Sequence, residues 1–180
     1  IKKYGTPITI ILAISISNHD KAAINKKDSI KINYKLIINL LKQIKKYQNI
    51  KIIFLSTQMV LNGKRSFSSE KIKPKPIITY GKQKLKVEKF IVKNFKNYLI
   101  FRLAKVYGHN LRDKSLITNF IYKIKKKIRK FELADDQFFN PLYIEDLIKI
   151  LDYSIIANNT GIYHIGGPKR YSRFEILKKT

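Results

Sequence analysis

The sequence predicts an α/β fold built on a doubly wound, mostly parallel sheet with helices on both faces. Short apolar runs rich in β-branched residues recur in the N-terminal part of the chain, as expected for strands buried on both faces. Amphipathic segments with helical periodicity lie between these runs. The resulting order of strand, helix, strand, helix and strand is typical of right-handed βαβ units.

The three predicted strands are residues 8–14, 50–55 and 98–103. The helix between the first two, residues 30–47, carries an apolar stripe formed by Ile30, Tyr34, Ile37, Leu41 and Ile44. The next helix covers residues 80–95, and its inward-facing residues are predicted to be Leu85, Phe90 and Ile91. These elements predict a sheet with its helices packed by their apolar faces.

The second part of the chain has a less regular pattern. Its predicted helices are residues 116–128 and 144–156, and its predicted short strands are residues 131–133 and 161–165. Near the C-terminus, Ser172 and Glu175 have the spacing of a capping box, in which each side chain accepts a backbone N–H of the same helical turn.

This change of pattern divides the chain into two parts, residues 1–110 and residues 111–180. Within the second part, the helix 143–157 and the strand 161–165 are candidates for returning to the main sheet.

The composition fits a globular protein with a strongly basic surface. Hydrophobic residues make up 44% of the chain, and 38 Lys and Arg against 12 Asp and Glu give a formal charge of +26. The lysines are scattered along the chain, and the densest cluster, residues 123–130, lies beside apolar residues at helical spacing. This arrangement favours a solvated helix face over a nucleic-acid site.

Cysteine is absent, which excludes disulfides, thiolate zinc sites and a cysteine nucleophile, and which fits a cytoplasmic location. The most apolar run, residues 8–16, is shorter than the ~20 residues of a membrane-spanning helix, so we expect no membrane partner. The chain starts with Ile1 rather than Met and ends inside a predicted helix, so both ends are expected to be cut.

Ligands of doubly wound sheets bind beyond the carboxyl ends of the strands, here Ile14-Ser15, Ser56-Thr57 and Ala104-Lys105. Close to these ends, Tyr80 and Lys84 are four residues apart on one helix face. An ammonium group beside a phenol favours the phenolate and lowers the phenol pKa, which would let the pair exchange a proton with a carbonyl oxygen. Thr57 would offer a hydroxyl to the same oxygen, while a nicotinamide supplies the hydride.

The spacing alone is weakly specific, because Tyr47 with Lys51 and Tyr122 with Lys126 also match it. Tyr80 differs in its context, since it opens a helix after a strand ending in Ser-Thr and a loop that contains prolines. Without further information, the alternative of a surface tyrosine and a solvated lysine remains open.

Five ordered segments resemble the dTDP-4-dehydrorhamnose reductase family of extended short-chain dehydrogenases/reductases. They are FLSTQMVLNG, YGKQKLKVEKFI, YLIFRLAKVYG, FFNPLYIEDL and GIYHIGGPKRYSRFEIL, and the resemblance runs from Asp20 to the C-terminal helix. It implies that residues 1–110 are the C-terminal part of a Rossmann-like cofactor-binding domain and that residues 111–180 are mostly a small substrate-binding lobe. It also implies NADPH or NADH as the hydride donor and reduction of a 4-keto sugar nucleotide for polysaccharide precursors.

The resemblance also implies roles for single residues. Thr57 would contact the substrate carbonyl, Tyr80 would donate the proton, and Lys84 would hold the nicotinamide ribose. The small-residue stretch against which the cofactor lies corresponds to Ala13, Ile14 and Ser15. The expected substrate side comprises Ser17, Thr57, Gln58, Met59, Lys105, Asn140 and Arg173.

Several of these positions depart from the family pattern. Gln58-Met59 stand where the family has Asp-Tyr, Lys105 replaces an aromatic residue, and Ile14 interrupts an alanine-rich stretch. These departures put the identity of the sugar in doubt. For Lys105, contact with an anionic group and extension into solvent are both open.

The family's glycine-rich GxxGxxG turn, which binds the cofactor pyrophosphate, has no counterpart in this sequence. The first strand of the chain matches the fourth strand of the family. We therefore expect the first βαβ units to be missing, and the chain as given to bind NAD(P)H poorly and to be inactive.

The histidines, His19, His109 and His164, lack the spacing of metal ligands, so no metal is predicted. Two alternatives to a reductase stay open: a sugar-nucleotide epimerase or dehydratase, and a non-catalytic relative that keeps the fold. A nucleotide-diphosphate sugar is the expected ligand, a homodimer is conceivable, and no nucleic acid is expected.

Overall fold

The computed structural model describes residues 8–17, 25–47, 49–63, 68–110, 115–128, 130, 131, 133 and 137–179. They form two compact units. The first unit contains the described residues up to Arg102 together with Asn159–His164, and the second contains the others. Each unit has its own hydrophobic core. The predicted division near residue 110 is a division by function and stays a prediction.

The first unit is built on a four-stranded sheet with the order β1-β2-β3-β7. Its strands are β1 (Ile8–Leu12), β2 (Ile50–Thr57), β3 (Tyr98–Leu103) and β7 (Gly161–Ile165). β1 and β2 are parallel, with Ile8 opposite Ile50 and Leu12 opposite Phe54. Nearly every residue of β2 is buried, as expected for a central strand covered on both faces.

The connection between β1 and β2 is a long helical segment with a local irregularity. α1 (Lys26–Ile30) continues through a π-helical segment (Lys31–Leu36) into α2 (Ile37–Ile44). The predicted apolar stripe is confirmed in α2, where Ile37, Leu41 and Ile44 are buried in the core of this unit. The π-helical turns lie beside the candidate site, where such widened turns are frequent in proteins.

The helix between β2 and β3, α3 (Thr79–Asn94), buries a partly polar face. Leu85 and Phe90, which were expected to point inward, are only half-buried, whereas Ile91 is fully buried as expected. Lys84 and Glu88 are fully buried in their place. Phe90 still packs against the core. The hydrophobic pattern did not predict the burial of Lys84 and Glu88, because burial of charged residues is uncommon unless they are paired.

The second unit combines three helices with two small sheets. Its helices are α4 (Leu116–Lys125), α5 (Ile144–Ile156) and α6 (Arg173–Lys179). β4 (Val106–Tyr107) pairs in parallel with β6 (Leu142–Tyr143), and β5 (Phe138–Phe139) pairs antiparallel with β8 (Tyr171–Ser172). Phe120, Phe139 and Ile176 form the buried centre of this unit.

Most predicted elements of this unit are confirmed, with differences at their ends. α5 has the predicted bounds, while α4 ends at Lys125 instead of residue 128. The strand predicted at residues 131–133 is not formed by Phe131 or Leu133, and residue 132 lies outside the described residues. The two-residue strand Phe138–Phe139 was not predicted, because it is too short to show a strand pattern. The capping box is confirmed, because Ser172 N donates to Glu175 and Glu175 N donates to Ser172 Oγ at 3.1 Å.

In the part of the chain that the structure describes, no helix has the length and apolar character needed to cross a membrane.

Candidate active site

Tyr80 and Lys84 lie together in the first turns of α3, as the sequence predicts. Both are buried, with exposed fractions of 7% and 1%. The Lys84 ammonium lies 5.8 Å from the centre of the Tyr80 ring and 4.6 Å from that of Phe54, and its Nζ donates a hydrogen bond to Leu55 O at 2.9 Å. The side chain is thus fixed between its own helix and β2.

Burial dominates the titration of both groups. It lowers the pKa of Lys84 to about 8, and the Glu88 carboxylate partly opposes this change. It also raises the pKa of Tyr80, against the effect of a hydrogen bond with Ser15. The net shift of the Tyr80 pKa is therefore upward, because burial outweighs the opposing effects, and the expected effect of Lys84 on Tyr80 stays a prediction.

Ser15 brings the end of β1 to the Tyr80 hydroxyl. Its Oγ lies 3.3 Å from the Tyr80 hydroxyl oxygen and 3.4 Å from Asn33 Oδ1. Asn33 in turn accepts a hydrogen bond from Ile16 N at 2.7 Å and donates one to Ile16 O at 3.1 Å. The Asn33 amide therefore binds both backbone groups of the residue after Ser15, which holds that hydroxyl against Tyr80.

The sequence analysis missed Asn33 and its neighbours. Asn33 donates to Gln83 Oε1 at 2.8 Å, and Gln83 donates to Ser29 Oγ at 2.9 Å; Asn33 and Ser29 are 0% exposed. This buried amide network joins the π-helical segment to the helix that carries Tyr80. One signal could have found it: Ser29 and Asn33 are polar residues four apart, directly beside the apolar stripe of a predicted inward-facing helix.

Thr57 ends β2 and begins a short 3₁₀ helix (Gln58–Val60). Its Oγ1 accepts a hydrogen bond from Met59 N at 3.2 Å, so its own O–H can still be donated. The 3₁₀ helix lies against the start of α3, since a Cβ added at Gly81 would overlap the Met59 carbonyl oxygen and come within 2.8 Å of its carbon. Gly81 thus lets Thr57, Gln58 and Met59 approach the turn that carries Tyr80.

The other predicted residues of this unit lie at the end of β1. Ala13 and Ile14 are exposed, Ile14 to 51%, and Ser15 is half-buried next to Tyr80. Ser17 is exposed at the end of the same described segment. The segment therefore presents small and apolar side chains to solvent beside the Tyr80 hydroxyl.

The remaining predicted substrate residues, Lys105, Asn140 and Arg173, lie in the second unit. Asn140 Nδ2 donates to Gly167 O at 3.3 Å and so holds a turn. Lys105 Nζ lies 5.4 Å from the centre of the Phe139 ring, and burial together with the nearby Arg173 lowers its pKa. Although the side chain as a whole is exposed, its ammonium is therefore partly withdrawn from water, beside a shallow depression that includes Tyr107.

A buried ion pair was also missed by the sequence analysis. Arg102 Nη2 on β3 lies 2.8 Å from Glu88 Oε2 on α3, and both side chains are almost fully buried. Arg102 also lies 3.3 Å from His164 Nε2 on β7. His164 is thus half-buried and hydrogen-bonded. Within the described residues, no group of three or more His, Asp or Glu could hold a metal ion, and His19 lies outside them.

A protein-family model described as "RmlD substrate binding domain" matches residues 5–179. The chain belongs to this family. The resemblance found in the sequence is thereby confirmed, and with it the Rossmann-like α/β fold.

Solved structures agree with the RmlD family assignment. The dTDP-4-dehydrorhamnose reductase from Bacillus anthracis in complex with NADP is 26% identical, with a TM-score of 0.86, over 95% of this chain and 60% of that one. A hypothetical dTDP-4-dehydrorhamnose reductase from Sulfolobus tokodaii is 27% identical, with a TM-score of 0.83, over 95% of this chain and 59% of that one. A UDP-glucuronic acid 4-epimerase from Bacillus cereus, at 24% identity and a TM-score of 0.85, shares the fold.

Curated proteins add a relative of a different kind. The β subunit of methionine adenosyltransferase 2 from Xenopus laevis is 27% identical over 135 residues, which cover 69% of this chain and 39% of that protein. The chain thus spans well under two thirds of the length of these relatives.

Proposed function

We propose that this chain forms the catalytic and substrate-binding part of an NAD(P)H-dependent reductase that acts on a 4-keto group of a nucleotide-diphosphate sugar. The observation that carries the proposal is the cluster formed by the buried Tyr80 and Lys84 with the half-buried Ser15, with Thr57 one short 3₁₀ helix away. Membership of the RmlD substrate binding domain family and the likeness to dTDP-4-dehydrorhamnose reductases support it.

The titration of Tyr80 supports the direction of reduction. Because burial raises its pKa, the phenol holds its proton at neutral pH. Reduction of a ketone needs a proton donor at the carbonyl oxygen when hydride arrives at the carbon. In this proposal, Ser15 and the hydroxyl of Thr57 orient that oxygen and share the charge that develops on it.

The residues present fit a nicotinamide cofactor, which supplies the hydride when bound. Ala13 and Ile14 offer exposed small and apolar surface beside the Tyr80 hydroxyl. Lys84 has three N–H donors, and its hydrogen bond to Leu55 O leaves donors for ribose hydroxyls. The proposed roles of Lys84 are to bind the ribose and to stay charged. Either NADPH or NADH is proposed as the hydride donor.

The substrate side is proposed to involve Ser17, Gln58, Met59, Lys105, Asn140 and Arg173. Gln58 and Met59 are half-buried beside the turn that carries Tyr80, which suits contact with a sugar ring. Lys105 and Arg173 are two cations close enough to lower the pKa of Lys105, which suits an anionic group such as a diphosphate. A cytoplasmic location and a homodimer remain predictions.

A second candidate is a non-catalytic, regulatory protein, because the curated relative is a β subunit of methionine adenosyltransferase. Such a protein would bind a dinucleotide or a partner without turnover. A third, an epimerase or dehydratase, rests on the fold shared with an epimerase. Turnover without net consumption of NAD(P)H would favour it.

The test is Tyr80→Phe in the longest natural polypeptide that contains this chain. Turnover of a dTDP-4-keto sugar with NADPH or NADH should fall by about 10²–10⁴-fold, because the proton donor is lost while the ring is kept. Tyr122→Phe is the matched control, since Tyr122 has the same spacing to a lysine but is 50% exposed. Its turnover should equal that of the wild type.

The wild type is measured first, with the cofactor followed by its absorbance. Turnover that persists in Tyr80→Phe would refute the assignment of Tyr80. A wild type that binds the cofactor but reduces no 4-keto sugar nucleotide would refute the reductase proposal and favour the regulatory candidate.

A further inference from the structure

Lys84 and Glu88 bind adjacent residues of β2. Lys84 Nζ donates to Leu55 O at 2.9 Å, and Ser56 Oγ donates to Glu88 Oε1 through a short hydrogen bond. The two charged side chains are one helical turn apart on α3, and each is 1% exposed. β2 therefore fixes the Glu88 carboxylate one helical turn away from Lys84, the lysine of the candidate site.

Arg102 on β3 binds the same carboxylate from the other side. Its Nη2 lies 2.8 Å from Glu88 Oε2, and its Nε lies 3.2 Å from Oε2 and 3.3 Å from Oε1. Its side chain is 3% exposed. The Glu88 carboxylate is thus ion-paired with Arg102 and also raises the pKa of Lys84, while the two buried cations near it repel each other.

His164 completes the arrangement without adding a charge. A guanidinium group only donates hydrogen bonds, so His164 Nε2, 3.3 Å from Arg102 Nη1, accepts one. The partners therefore assign the ring proton to Nδ1, which donates to Ser68 O at 2.9 Å. The backbone N–H of His164 donates to Glu70 Oε1 at 2.9 Å and lowers the pKa of that carboxyl group.

Polar, aromatic and charged groups lie around Lys84 on its own helix α3 and on the strands β2 and β3. On α3 these are the Tyr80 ring and the Glu88 carboxylate, and on β2 they are Leu55 O and the Phe54 ring. From β3, Arg102 acts on the same carboxylate, and Glu70 interacts with Arg102. Among the described residues, Glu88 is the anion that opposes the desolvation of the ammonium.

We propose that Glu88 and Arg102 are positioning residues that set the charge of Lys84: Glu88 holds it as an ammonium, and Arg102, a cation bound to the same carboxylate, opposes that charge by repulsion. The relevance of this pair to turnover rests on the proposed function, but the charge setting itself does not. A lysine that binds a ribose and supports a proton donor must remain charged near neutral pH. Burial alone lowers the Lys84 pKa and so works against this charge. Together, Glu88 and Arg102 counteract part of this effect of burial.

The experiment measures the titration of Lys84 directly, by NMR of the chain with ¹³C-labelled lysine. The Lys84 signal is identified by its absence in Lys84→Arg. Glu88→Gln should lower the Lys84 pKa by about one unit, a tenfold loss of proton affinity, because an attractive charge is removed. Arg102→Gln should raise it, because a like charge bound to the same carboxylate is removed.

The opposite signs separate this role from a merely structural one. Each substitution replaces a charge by an amide and breaks the same ion pair, so structural damage would affect Lys84 similarly in both variants. Shifts in the same direction, or no shift in either, would overturn the proposal. Glu145→Gln, an exposed residue of the second unit, is the control and should leave the Lys84 titration unchanged.

Removing one partner of a buried pair can prevent folding. In that case Glu88→Gln/Arg102→Gln, which removes both charges, is measured instead. It should still lower the Lys84 pKa relative to the wild type, because Glu88 is the direct partner, and an unchanged value would overturn the proposal. Turnover enters none of these measurements, so an inactive protein with the expected shifts would refute the proposed function alone.

Discussion

Replacing Lys84 with Met should change how the stability of the protein depends on pH. The pKa of this residue is about 8 in the folded protein, against 10.5 for an ordinary lysine. Below about pH 8 the ammonium is charged in both the folded and the unfolded state, and the folded state bears the cost of burying it. Between these two pKa values the unfolded chain binds more protons than the folded one, so the free energy of unfolding rises with pH. Lys84→Met lacks this gain.

The two pKa values set the size of the effect. Their difference of about 2.5 units corresponds to roughly 3.4 kcal/mol in total, of which about 2.5 kcal/mol develops between about pH 7 and pH 10. Lys84 is 1% exposed, so solvent screening reduces this value little. The stability of the wild type relative to Lys84→Met should therefore rise by this amount over that range.

Urea denaturation followed by circular dichroism measures the difference. With an m-value near 2 kcal/mol/M, the separation between the two midpoints should change by about 1 M between about pH 7 and pH 10. Subtracting the variant from the wild type removes the contribution of other titrating groups. Lys82→Met is the matched control, because Lys82 is exposed on the same helix. Parallel stability curves for the wild type and Lys84→Met would refute the reasoning, since they would show that the ammonium is not desolvated on folding.

Two substitutions test the packing that supports the site. Gly81→Ala should destabilise the protein by about 1–3 kcal/mol, because its Cβ would overlap the Met59 carbonyl oxygen; chemical denaturation measures this, and a loss below about 0.5 kcal/mol would contradict the close approach. Asn33→Ala should cost about 2–4 kcal/mol, because both backbone groups of Ile16 and the amide of Gln83 lose their partner, and amide exchange of Ile16 should accelerate. Unchanged exchange would show that the amide does not hold this segment.

The sheet and its helices were predictable because burial on both faces leaves a simple pattern. β3 has the predicted bounds, and β2 extends the predicted strand by the two residues Ser56 and Thr57. The apolar runs in these strands differ clearly from the amphipathic periods between them. The pattern is incomplete in α3, which buries Lys84 and Glu88, because a rule that places charged residues in solvent cannot predict their burial.

The candidate site was predictable only in part, and its network was not. Tyr80, Lys84 and Thr57 follow from their positions near the ends of strands together with the family resemblance. Asn33 and Arg102 lie far from them in sequence and enter the site through pairings that depend on the registers of two strands and a π-helical turn. The spacing of residues within one segment cannot predict such pairings, because the two partners lie on different segments of the chain.

The position of Glu88 nevertheless carries a physical argument that starts from the sequence. Once Lys84 is placed on the inner face of α3, the residue one turn later must lie on that face as well. A buried ammonium without an anion would lose its proton near neutral pH, so a functional lysine needs a carboxylate within reach. A carboxylate buried in this way needs donors of its own, which Ser56 and Arg102 supply from two neighbouring strands. Burial of the Lys84 ammonium therefore requires the buried charges of Glu88 and Arg102. The charge of Lys84 thus depends on residues that do not need to touch the substrate.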